Sequence, residues 1–128
     1  MNNLKLNILS KEILDASITV HREMGPGLLE TVYEYCLMKE FEIRGIKANN
    51  QVLVPLYYKG ELLNKDFRID ILVEDEIVIE LKSVFDILPV HEAQIISYLK
   101  LANKKLGFLI NFNESLIKHG FHRFVNNF

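Results

Sequence analysis

A chain of 128 residues, 49% of them apolar, has material for one hydrophobic core, and it contains no run of the ~18 apolar residues that a bilayer span needs. Fifteen basic residues face 17 acidic ones, a formal net charge of −2, which excludes a protein that holds nucleic acid by bulk charge alone. The single cysteine, Cys36, excludes an internal disulfide and fits a reducing, cytoplasmic setting.

The opening MNNLKLNILSKEIL lacks the long apolar block of a signal peptide, and nothing further on reads as a linker or repeat, so residues 1–128 are expected to form one domain. Residues 10–23 have helical spacing through Ile13, Ala16, Ser17 and Val20, with Ser10 as the expected N-cap. Gly25, Pro26 and Gly27 interrupt that helix. A second helix is expected from Leu28 to Arg44, stopped by Gly45. Three β-rich runs follow, QVLVPLYYKG, KDFRIDILV and EIVIELKSV, separated by KGELLN and EDE. Pro55 places the first run at a sheet edge or on a bulge.

A third helix begins at Pro89, and Ile95, Leu99 and Ala102 form the stripe that should pack on the sheet. KLGFLINF is a short apolar strand, and the tail reads as weakly helical or extended. The order predicts a mixed α+β (α/β) domain in which helices cover a central mixed sheet of about four strands.

The chemistry concentrates in the second and third β runs. Alternation puts Phe67, Ile69, Ile71 and Val73 on one face and Arg68, Asp70 and Leu72 on the other. In the next run Val78, Glu80, Lys82 and Val84 share a face. If Val73 pairs with Ile77, Asp70 stands opposite Glu80 and Arg68 opposite Lys82, with paired Cβ atoms roughly 5 Å apart. Such a hairpin has two readings. Its polar face is solvated and Lys82 balances the acids, or the acids hold a divalent cation that relieves their repulsion.

The helices add polar groups. Glu30 and Tyr33 share a helix face, with Glu34 beside them; Glu30 complements a helix dipole or joins the acids, and Tyr33 reads as a core aromatic with its hydroxyl at the edge. His91, Gln94 and Tyr98 form one polar stripe, and Lys100, Lys104 and Lys105 are either solvated or meet phosphates. His119 and His122 lack the further ligands of a zinc site.

Gly27, Glu30 and Tyr33 in GLLETVY match the signature of the GxxExxY protein family. HREMGPGLLE, FRIDILV, IELKSV, PVHEAQIISYLKLANKKLGFLINF and HRFV resemble that family in the same order, over about residues 10–125. The family is placed in the PD-(D/E)xK nuclease superfamily. The resemblance implies a restriction-endonuclease-like core and a hydrolase that cuts nucleic acid, DNA ahead of RNA, leaving a 5′-phosphate. It also implies Mg²⁺, with Mn²⁺ as a substitute.

Carried over residue by residue, the resemblance makes Asp70 and Glu80 the metal carboxylates and Lys82 the lysine of the E-x-K element, which assists the attacking water. Glu30 is the extra acid that many members use for metal or water, and so a third candidate metal ligand, and Gln94 and Tyr98 match a Q-x-x-x-Y element. Ile69 stands where the superfamily name has proline. Some members have become binding modules for nucleic acid or protein, so a catalytically silent module is the competing expectation. No seam for self-association is legible.

Overall fold

The first helix starts earlier than its expected cap. In the computed structural model, which describes residues 1–128, α1 spans Asn3–Met24. Asn2 caps it by accepting from the Lys5 amide at 2.8 Å, while Ser10 sits inside the helix and donates to the Leu6 carbonyl. Leu6 is buried together with Ile13, Ala16 and Val20, so the apolar stripe extends one turn further back than the expected start.

α1 stops at Gly25, whose φ of 72° puts it in the region that favours glycine. α2 (Glu30–Ile43) follows, and Arg44 at its C-cap reaches Glu40 at 2.7 Å and Asp15 at 2.8 Å, tying α2 to α1. β1 (Ala48–Tyr58) and β2 (Glu61–Val73) form a hairpin whose two central residues, Lys59 and Gly60, both have positive φ, as a tight type I′ turn requires. The segment ELLN, expected in a loop, is therefore strand. β3 (Ile77–Lys82), α3 (Pro89–Ala102) and β4 (Leu106–Asn111) make a parallel crossover. The tail forms a 3₁₀ turn and then a fifth strand, β5 (Phe121–Val125), antiparallel to β4.

The sheet is mixed and runs β1-β2-β3-β4-β5. β1 is the edge strand, with a register shift between Pro55 and Tyr57, as the proline implied. One core lies between the sheet and the helices α1 and α2, built around Ile13, Leu37, Phe41, Ile79, Phe108 and Ile110. A smaller one lies under α3, around Ile69, Val78, Ile95, Leu99 and Leu109. The fold is the expected mixed sheet flanked by helices, consistent with the restriction-endonuclease-like core that the resemblance implied, with five strands in place of about four.

One expectation about the faces of β2 does not hold. Ile71 and Val73 pack on the α1/α2 side, but Ile69 packs under α3, so the simple alternation breaks between residues 69 and 71. β1 breaks at the matching place, with Ala48 packed on the α1/α2 core and Val52 and Val54 against the α3 core. The cause lies in the backbone. Gln51, which falls between the Asn50–Ile71 and Val52–Ile69 pairs and so opposite Asp70, has φ of 51° in mid-strand. A left-handed residue reverses the in-and-out order of the side chains that follow it.

α3 rests on β4 at Gly107, where a Cβ would lie 3.1 Å from both Ile95 Cδ1 and Leu99 Cδ2 and 3.2 Å from the Val78 carbonyl oxygen. Gly107→Val is expected to destabilise the protein by about 1–3 kcal/mol through overpacking. Chemical denaturation of both forms measures this, and an unchanged midpoint would contradict the close approach of helix and strand.

Candidate metal centre

Regular pairing between β2 and β3 runs from Val73–Ile77 to Ile71–Ile79 and stops there. At the next position side chains take over from the main chain. The Asp70 amide donates to Glu80 Oε2 at 2.8 Å, and the Leu81 amide donates to Asp70 Oδ2 at 2.8 Å. The expected meeting of Asp70 and Glu80 is thus present as a reciprocal exchange, each carboxylate held by a backbone N–H of the facing strand. Arg68 does not meet Lys82: β2 has parted from β3, and Arg68 stands opposite Leu53 of β1.

The remaining carboxylate oxygens, Asp70 Oδ1 and Glu80 Oε1, have no hydrogen-bond partner. No side-chain oxygen is both sealed from solvent and unpaired, so these two keep some contact with solvent. Burial pushes the Glu80 carboxyl up to about 8, and the charge of Asp70 adds to the rise against the Asp70 N–H and the Lys82 ammonium. Asp70 is raised too, by burial first, with the Leu81 N–H opposing and the charge of Glu34 reinforcing. Tyr98 is raised by burial and then by the charge of Glu80.

Two half-closed acids that resist joint ionisation, each with a free oxygen, are a donor set that a hard divalent cation relieves. No group of three or more His, Cys, Asp and Glu side chains is gathered to hold an ion. Asp70 and Glu80 would therefore carry it as a pair, with water completing a magnesium shell. Glu30, exposed in the first turn of α2, acts on the pair through its charge, which raises both acids.

The other expected residues divide by place. Lys82 ends β3 beside the acids and forms no ion pair of its own. Gln94 Nε2 donates to Tyr98 Oη at 3.2 Å, one turn apart on α3, and the Tyr98 ring packs on Phe67 with centroids 4.7 Å apart. His91 caps α3, accepting from the Leu88 amide at 3.0 Å. Tyr33 has the core role: fully buried, it stacks on Phe112 at 4.4 Å, while its hydroxyl donates to the Gly25 carbonyl and accepts from the Leu28 amide. Lys104, weighed for phosphate contact, binds the Asp75 carbonyl at 2.8 Å, at the opposite end of β3 from Lys82.

Sequence reasoning missed two sets of contacts. Glu34, noted only as lying beside Glu30 and Tyr33, is 6% exposed and accepts from Gln51 Nε2 at 2.6 Å and Asn50 Nδ2 at 3.0 Å. The signal was the polar NNQ opening an otherwise apolar strand. Asn111, fully buried, grips Val84 through both its backbone groups at 3.1 and 2.9 Å and so fixes the chain just past Lys82. A lone asparagine at the end of an apolar strand gives little warning of that.

Residues 7–124 match the PD-(D/E)XK nuclease superfamily. Among solved structures, the one titled "Crystal structure of SSO0001" shares the fold at 20% identity with a TM-score of 0.50, the match covering 94% of this chain and 59% of that one. The chain thus spans less than two thirds of that protein. No curated protein matches.

The Glu80 shift sets a sign for stability. Its folded value of about 8 lies above the ordinary 4.5, so the folded state holds a proton that the unfolded state has lost between those values. That contribution is full below the ordinary value and is lost as pH rises through the folded one. In EDTA, the melting temperature is expected to fall from about pH 5 to about pH 9 in wild type, and Glu80→Gln is expected to flatten the fall. Thermal melts of both forms across that range decide it; parallel curves would show that Glu80 is not the group responsible.

Proposed function

The chain belongs to the PD-(D/E)XK nuclease superfamily, and on that premise we propose that it is a magnesium-dependent nuclease, with Mn²⁺ as a working substitute. It hydrolyses phosphodiester bonds in DNA or RNA, with DNA ahead of RNA. The observation that carries this reading is the reciprocal hold of Asp70 and Glu80 by each other's strands, with Lys82 at the end of the same β3. The finer assignment to the GxxExxY family rests on Gly27, Glu30 and Tyr33.

Asp70 and Glu80 would hold the ion through their unpaired oxygens. When bound, it supplies positive charge against the phosphodiester and makes water a stronger nucleophile at neutral pH. Lys82, free of any carboxylate partner, neutralises the negative charge that builds on the phosphate oxygens as water adds to phosphorus and the ester bond breaks. Glu30, exposed at the rim, takes the proton that the water gives up. Gln94 and Tyr98 present a joined amide and phenol on the α3 side of the gap and fix the phosphate by hydrogen bonds.

A second reading, a silent module that binds nucleic acid or protein through the same face, is favoured by the gathering of only two ligand acids. Cleavage assays separate the two readings. Wild type, Glu80→Ala and Lys82→Ala are incubated with duplex, single-stranded and branched DNA and with RNA, in Mg²⁺ and in Mn²⁺. Wild type is expected to cut at least one substrate, and each variant to cut it about 10²–10⁴-fold more slowly. Binding without cutting would establish the module, and variants as fast as wild type would remove these residues from the mechanism.

A further inference from the structure

Gln51 is an unusual residue to find left-handed. It has neither the missing Cβ of glycine nor the short side chain of asparagine, and it sits inside an 11-residue strand with φ of 51°. Its neighbour Asn50 should point to the opposite face of the sheet. Both carboxamides nevertheless reach the same carboxylate: Gln51 Nε2 donates to Glu34 Oε1 at 2.6 Å and Asn50 Nδ2 to Glu34 Oε2 at 3.0 Å. Glu34 is 6% exposed and pairs with no cation, so these two amides are its polar partners in the protein. Across the ladder, the residue facing Gln51 is Asp70, and it is here that both strands exchange faces and β2 leaves β3.

We infer that Glu34, clamped between Asn50 and Gln51, is a positioning residue for the metal site: by holding Gln51 left-handed it turns the β1–β2 ribbon over and swings Asp70 into the gap beside Glu80. Extended backbone at Gln51 would restore plain alternation. Asp70 would then project from a sheet face, as the sequence pattern alone predicts, and would no longer accept the Leu81 amide. Glu34 acts here through the two amides that its oxygens hold, one on each, and no ligand role is assigned to it. The inference rests on the reading of Asp70 and Glu80 as metal ligands and adds a residue on a different element that makes their geometry.

The experiment measures Mn²⁺ affinity by calorimetry on the intact chain, with melting temperature in EDTA and far-ultraviolet circular dichroism as the check of folding. The proteins are wild type, Glu34→Ala, Gln51→Ala and Gln51→Gly. Wild type is expected to bind Mn²⁺; if it does not, the metal-site reading itself fails, whatever the clamp does. Glu34→Ala and Gln51→Ala are expected to stay folded and bind about 10–100-fold more weakly, the range for groups that orient ligands without touching the metal.

Gln51→Gly loses the same amide but adopts the left-handed conformation freely, so its affinity is expected to lie clearly above that of Gln51→Ala. That recovery separates backbone positioning from a general loss of packing, which would leave glycine the weaker of the two. Folded Glu34→Ala with wild-type affinity, or glycine no better than alanine at residue 51, overturns the inference. If Glu34→Ala does not fold, the two residue-51 variants decide alone.

Discussion

Two backbone amides hold the site together. The Asp70 and Leu81 N–H groups each reach across the gap between β2 and β3 to a carboxylate on the other strand, at 2.8 Å. A hydrogen bond from an amide to an ionised carboxylate contributes roughly 1.5–3 kcal/mol, more than a ladder bond between neutral groups. The exchange therefore stitches the strands at the point where their ladder ends, and it fixes one oxygen of each acid while leaving the other free. The proposed metal centre draws on both properties. An acid loose in solvent would surrender entropy on binding, and an oxygen already holding an amide has fewer lone pairs to offer.

The same geometry sets the two acids against each other. Burial and the charge of Asp70 push Glu80 up to about 8, so near neutral pH its carboxyl is drawn towards the protonated form. A cation competes with that proton for the same oxygens, and a site of this kind takes up metal more readily as pH rises. Lys82 is close enough to oppose the rise of both acids but forms no ion pair. Its ammonium moderates the repulsion without pairing with either acid.

Much of this was legible in the sequence, for definite reasons. The position of α3 followed from apolar spacing, since Ile95 and Leu99 are fully buried, and that of α2 from the Gly25–Pro26–Gly27 interruption and the Gly45 stop. The register of β2 on β3 followed from the short EDE turn, since Val73 does pair with Ile77. What failed was alternation carried too far. It assumes that every residue of a strand is extended, and Gln51 is not. No local signal marks glutamine as left-handed, because its conformation depends on Glu34, which is 17 residues earlier and on another element. The start of α1 failed for a smaller reason: Ser10 is a good cap by type, but Asn2 is one too, and burial of Leu6 selects the longer helix.

The left-handed residue also accounts for the shape of the chain around the site. An L-residue in that region costs roughly 1–2 kcal/mol, and a charge-assisted bond to a buried carboxylate offsets a cost of that size. Once the ribbon has turned over, β2 can no longer follow β3. Residues 61–69 run on beside β1 alone, a two-stranded arm extending on the order of 30 Å from the gap. A ladder that ran unbroken would have closed the gap and paired Arg68 with Lys82. The gap between β2 and β3 and the arm that stands beside it are two results of one backbone inversion, and the inversion is held by a helix that also carries Glu30. Helix α2 thus joins the rim acid, the clamp and, through Tyr33, the Gly25–Leu28 loop into one rigid support on one side of the carboxylate pair.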